Sequence, residues 1–150
     1  MMAHMSVDGL GPLIDDFMTL ASLPDSVVDD MLNAGADVVA EAQRAEIQRQ
    51  WKGSYSMGIS AKSIKKAKKI RTTKYLGITG RYINIYPQGT RKRGKKSIRN
   101  AEIAFINEYG APGRGIASRP AIASANAKAE RQAVEAGEKV YHAYLDSKNL

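Results

Sequence analysis

Residues 101–125 read AEIAFINEYGAPGRGIASRPAIASA, and this stretch decides the fold. Ala101, Ile103, Phe105 and, less cleanly, Asn107 and Tyr109 alternate with Glu102, Ala104, Ile106 and Glu108. Such alternation is the signature of a strand with one face more buried than the other, so a strand is expected over 101–109. Gly110, Pro112, Gly113 and Gly115 cannot extend it and force a turn. A residue before proline is pushed out of the α region, while proline suits the first helical position. Arg119 is therefore expected as the N-cap and Pro120 as the first residue of a helix running to about Asp146.

Downstream, Ile122, Ala125, Ala129, Ala133, Ala136, Val140 and Tyr144 recur at spacings of three and four, an amphipathic stripe expected to pack on the sheet. Its small residues permit close approach. Upstream, residues 88–100 (QGTRKRGKKSIRN) form a polar, basic tip that is either a long hairpin arm or a disordered loop. Before it, Tyr82, Asn84 and Tyr86 alternate with Ile83 and Ile85, a half-buried strand within 75–87 that ends at Pro87. Residues 64–73 set Ile64, Ala67 and Ile70 among lysines, which fits a helical turn as well as a twisted strand.

Residues 51–64 are rich in Gly and Ser and break the helical pattern. Ser26 followed by Asp29 offers a capping-box start for a helix to about Gln50. Val28, Met31, Leu32, Gly35, Val39, Ala42 and Ala45 form its stripe, with Gly35 placed to admit another backbone. Residues 9–21 carry Leu10, Leu13, Ile14, Phe17 and Met18 at helical spacing, a short amphipathic helix. Met1 to Met5 (MMAHM) reads as an expression-vector leader, so His4 is set aside and residues 6–150 are taken as one domain.

Charge is segregated along the 150 residues, whose formal net charge is +8. Up to Gln50, nine acidic residues face only Arg44 and Arg49, whereas residues 62–99 hold fourteen basic residues and no acidic one. So one-sided a block implies a polyanionic partner, an acidic protein surface or a solvated loop. Lys65, Lys66, Lys68, Lys69, Arg71 and Lys74 on one segment, and Arg91, Lys92, Arg93, Lys95, Lys96 and Arg99 on the tip, are placed to neutralise phosphates without reading sequence.

Chemistry is otherwise scarce. The chain has no cysteine, which removes disulfides and thiol nucleophiles. No run approaches the roughly 18–20 apolar residues of a membrane span, so a soluble protein is expected. His142 lies on the last helix with no carboxylate at ligand spacing, and no nucleophile elbow, phosphate loop or His-Glu-x-x-His occurs. No catalytic set, metal site or cofactor is expected.

The 101–125 stretch also resembles the tail-completion or head–tail joining proteins at the neck of long-tailed double-stranded DNA bacteriophages. In that family a strand ends Glu-(Tyr/Phe)-Gly-Thr and a helix opens Ala-Arg-Pro-Phe-Leu-x-Pro-Ala. Glu108, Tyr109 and Gly110 match the first piece; Arg119, Pro120, Ile122 and Ala125 match the second. Ala111, Ala121 and Ser124 stand where threonine, phenylalanine and the second proline are usual. Gly9, Leu10, Leu13, Gly35 and Ala36 match its beginning, and Gly58, Ser63 and Ile64 its helix-to-sheet joint, so 64–73 is taken as a strand.

The resemblance implies an α+β fold: an antiparallel sheet of three to four strands packed against N-terminal helices and a long C-terminal helix, with a basic hairpin arm. It implies a virion protein rather than an enzyme, made in the bacterial host cytoplasm and assembling as a homo-oligomeric ring between head connector and tail tube. Glu108, Tyr109, Gly110, Arg119 and Pro120 would be fold-defining, and the basic arm would meet neighbours or phage DNA. The competing reading is a non-specific nucleic-acid-binding protein that uses the 62–99 segment.

Overall fold

Two long helices set the frame. The computed structural model describes residues 23–51 and 57–148; the leader and the helix expected over 9–21 lie outside them. Helix α1 (Asp25–Gln50) starts where Pro24 adopts φ −55° and ψ 143° and its carbonyl accepts the Val27 and Val28 amides. No side chain caps it, so the expected Ser26/Asp29 capping box does not form. Asp29 is turned instead to Arg81. Asp25 in the first turn and Arg49 in the last suit the helix dipole.

Helix α1 is followed by the short helix α2 (Met57–Ser63), inside a stretch expected to be irregular. Strands β1 (Ile64–Lys66), β2 (Arg71–Tyr75), β3 (Ile78–Tyr82), β4 (Ile85–Pro87), β5 (Thr90–Arg93) and β6 (Lys96–Arg99) come next. Then come α3 (Asn100–Tyr109), a 3₁₀ turn (Pro112–Arg114) and α4 (Ala121–Ser147). The fold is α+β, as expected. Its strands pair antiparallel as β1–β4, β2–β3 and β5–β6, three two-stranded ladders in place of one sheet of three to four strands.

The divided sheet follows from turns inside the expected strands. A bend at Lys68 and Lys69 separates β1 from β2, and Leu76 (φ 49°) with Gly77 (φ 78°) folds β2 back on β3. Positive φ at both central residues gives the two-residue turn whose twist matches a hairpin.

Residues 101–109 are helix, not strand. The buried positions of α3 are Asn100, Ala104, Asn107 and Glu108, a helical repeat made mostly of polar residues. Phe105 and Tyr109, which supplied the apparent apolar alternation, are 63% and 67% exposed. Gly110 closes α3 at φ 77° and ψ 175°, a region open essentially to glycine. Helix α4 begins one residue later than expected, with Pro120 at the N-cap rather than Arg119.

Helix α4 packs on α1 rather than on the sheet. The two run antiparallel, with Met31 near Gly137, Gly35 near Ala133 and Gln43 bonded to Asn126. A Cβ on Gly35 would stand 3.2 Å from the Ala133 carbonyl oxygen, which explains the small residues of both stripes. The most buried line of α4 is Ala121, Ala125, Ala129, Val134, Gly137 and Tyr141, rotated slightly from the expected stripe. Ile47, Trp51, Ala61, Ile64, Ala104 and Ala121 form the core where α1, α2, β1, α3 and the start of α4 meet. No helix among the described residues is long and apolar enough to cross a membrane.

Candidate functional site

Two constructions stand out: a cationic hairpin and a join between α3 and α4. The arm of residues 88–100 is an ordered hairpin whose two-residue turn is Gly94-Lys95. Gly94 takes φ 65°, the requirement at the first central position of a type II′ turn. Register sets Thr90 opposite Arg99, Arg91 opposite Ile98, Lys92 opposite Ser97 and Arg93 opposite Lys96.

Arg91 holds this hairpin to the body and is buried, so it is not the partner-contact residue expected from sequence. Its Nε donates to Asn100 Oδ1 and its Nη2 to Ser60 Oγ, both at 2.8 Å. Asn100 in turn donates through Nδ2 to the Gln88 carbonyl at 2.8 Å and through its amide to the Gly89 carbonyl at 3.0 Å. A satisfied buried polar cluster of this kind fixes geometry. Lys92, Arg93, Lys95, Lys96 and Arg99 are exposed on the anchored ribbon.

The second basic segment is partly spent on internal pairs. Lys66 Nζ lies 2.8 Å from Asp37, and Arg81 grips Asp29 with two bonds of 2.7 and 2.8 Å. Lys65, Lys68, Lys69, Arg71 and Lys74 are exposed, and none pairs with a carboxylate among the described residues. Nothing brings the two segments into one ladder.

At the join, the expected fold-defining residues do converge. Glu108 accepts the Ile122 amide on Oε2 and the Ala123 amide on Oε1, each at 2.8 Å, so the carboxylate caps α4 from the preceding helix. The Glu108 carbonyl takes the Ser118 hydroxyl at 2.6 Å. The Arg119 amide donates to the Asn107 carbonyl at 2.8 Å, and its guanidinium donates to Asn107 Oδ1. Trp51 Nε1 closes the unit on the Arg119 carbonyl at 2.8 Å. Tyr109, by contrast, points outward, its ring tilted against that of Phe105 with centroids 4.8 Å apart.

Ser60, Asn100, Asn107, Ser118 and Trp51 were not singled out from sequence. Trp51, the sole tryptophan, carried the best available signal. Among the described residues, no group of three or more His, Cys, Asp or Glu side chains is placed to hold a metal ion. His142 is exposed, with its ring 5.6 Å from that of Tyr141. Comparison with protein-family models, with curated proteins and with solved structures finds no match to this chain.

Proposed function

We propose that this chain is a structural virion protein of a tailed bacteriophage or prophage, a tail-completion or head–tail joining subunit that assembles into a ring at the neck. The observation that carries this reading is the α3–α4 join. Two of the residues that bear the family resemblance, Glu108 and Arg119, bond across the join, and Gly110 and Pro120 lie at its two helix ends.

The surface supports an assembling subunit over a catalyst. Leu76 is 84% exposed at the tip of the β2–β3 hairpin, and the Phe105–Tyr109 pair is exposed on α3. Contiguous exposed apolar side chains, such as the Phe105–Tyr109 pair, suit a contact surface. Helix faces and short ladder edges of this kind pair subunit to subunit around a closed cyclic symmetry, with head connector and tail tube above and below.

Electron microscopy of particles made by the source phage with this gene deleted tests the proposal. DNA-filled heads beside separate, complete tails are expected. Normal infectious virions would overturn it.

A further inference from the structure

The β5–β6 hairpin carries a feature that the fold itself does not reward. Arg93 and Lys96 are directly opposed across the ladder, next to Lys95 in the turn, and Lys92 lies one residue before Arg93. Like charges directly opposite on a ladder repel and lower stability. No described carboxylate pairs with Lys92, Arg93, Lys95, Lys96 or Arg99. Yet the ribbon is not left loose, because Arg91, Asn100 and Ser60 pin its base. A rigid base under a self-repelling tip is an arrangement relieved by an external anion.

We infer that this hairpin is a phosphate-binding arm for duplex DNA that makes no base-specific contacts. Charge density decides between DNA and an acidic protein. Protein–protein interfaces are depleted of lysine at their centre and rely on aromatic and apolar anchors. The tip presents Lys92, Arg93, Lys95 and Lys96 with no apolar side chain among them. Lysine suits phosphate as a point charge, and a two-stranded ribbon fits the roughly 12 Å width of the major groove, with cations directed to its phosphate walls. Ser97 and Thr90 add hydroxyl donors that serve phosphate oxygens equally well.

This inference stands apart from the neck reading. A neck subunit whose arm met only protein would fail the test below and keep its place in the virion.

The test is fluorescence anisotropy of a mixed-sequence 30-base-pair duplex titrated with the full chain from 50 to 200 mM NaCl. Binding insensitive to duplex sequence is expected, with a log–log salt slope of about −4 or steeper for five engaged cations. Replacing Lys92, Arg93, Lys95 and Lys96 together by alanine is expected to weaken binding on the order of 100-fold at 100 mM NaCl. Each single substitution, Arg93→Ala or Lys96→Ala, should flatten the slope by about one. Because the tip is exposed and self-repelling, these variants should melt no lower than the parent, which separates lost binding from lost folding. Arg131→Ala with Lys139→Ala, on the exposed side of α4, should leave the slope unchanged.

Absence of binding at 50 mM NaCl would overturn the inference, as would a slope unmoved by the tip substitutions. Tighter binding to poly-L-glutamate than to the duplex in the same assay would overturn it in favour of an acidic protein surface.

Discussion

Glu108 ends one helix and caps the next, its Oε1 accepting the Ala123 amide at 2.8 Å. Its Oε2 takes the Ile122 amide at the same distance, so two of the open donors of α4 are met by a buried carboxylate from outside the helix. Pro120, at the N-cap, offers no side-chain acceptor of its own. Glu108→Ala removes the acceptor of both donors and should cost about 1–2 kcal/mol by urea unfolding, the range for a lost helix cap. Glu108→Gln keeps one acceptor oxygen and should fall between the two. Equal stability of all three proteins would remove the cap from the account.

Gly110 is the tightest backbone position of the join. At φ 77° and ψ 175°, a Cβ there would stand 2.8 Å from both the Ile116 carbonyl oxygen and the Ser118 nitrogen. Neither neighbour is a flexible side-chain end, so the clash cannot be relieved locally. Gly110→Ala should lose about 3 kcal/mol, the upper end for a strained residue. Gly113→Ala, three residues on and facing open space, should change little. Melting curves of the two variants check the contrast.

Trp51 joins the end of α1 to the start of α4 and is fully buried. Trp51→Phe keeps most of the packing and removes the bond to the Arg119 carbonyl, which the Ala121 amide also engages at 2.8 Å. Because the acceptor is not orphaned, the loss should be only about 1 kcal/mol. Trp51→Ala empties the site and should lose about 3–5 kcal/mol. As the sole tryptophan, Trp51 also reports directly: native emission should be blue-shifted and move red in one step with unfolding.

How far sequence carried the reading depended on whether hydrophobicity marked the buried face. In α4 and the first turns of α1 it did, because Val28, Met31, Ala125 and Ala129 recur at helical spacing and are buried, whereas further along α1 the buried line passes through Ala36, Ala40, Gln43, Glu46 and Ile47 and leaves Ala45 of the expected stripe exposed. In α3 the relation is inverted. Asn107 and Glu108 face inward, satisfied by Arg119, Ile122 and Ala123, while Phe105 and Tyr109 face out. Counting apolar residues there follows the wrong face.

The polarity of residues 88–100 allowed a hairpin arm or a disordered loop, and the ladder closed by Gly94-Lys95 is the first of these. Its inward residue was not legible, since Arg91 among Lys92 and Arg93 carries no pattern to distinguish it. Only Ser60, distant in the chain, makes Arg91 an anchor. Of the residues that the resemblance marked as fold-defining, Glu108, Gly110, Arg119 and Pro120 lie at the α3–α4 join and Tyr109 faces outward, and the bonds of Glu108 and Arg119 exist only once both helices are in place.

Glu46 receives Arg49 Nη2 at 2.7 Å, Lys128 Nζ at 2.8 Å and Gln50 Nε2 at 2.9 Å, tying α1 to α4. The hydrogen bonds from Arg49, Lys128 and Gln50 lower its carboxyl from 4.5 to about 2. A carboxyl depressed on folding stabilises the native state above its ordinary value and loses that contribution as pH falls through its folded value. The contribution of Glu46 should therefore be full above about pH 4.5 and gone by about pH 2. Glu46→Gln should melt below the parent at neutral pH, and the gap should close across this interval. Because Arg49 and Lys128 are well exposed, added salt should narrow the gap at neutral pH. A gap that persists unchanged at pH 2 would show that packing, not charge, sets the role of Glu46.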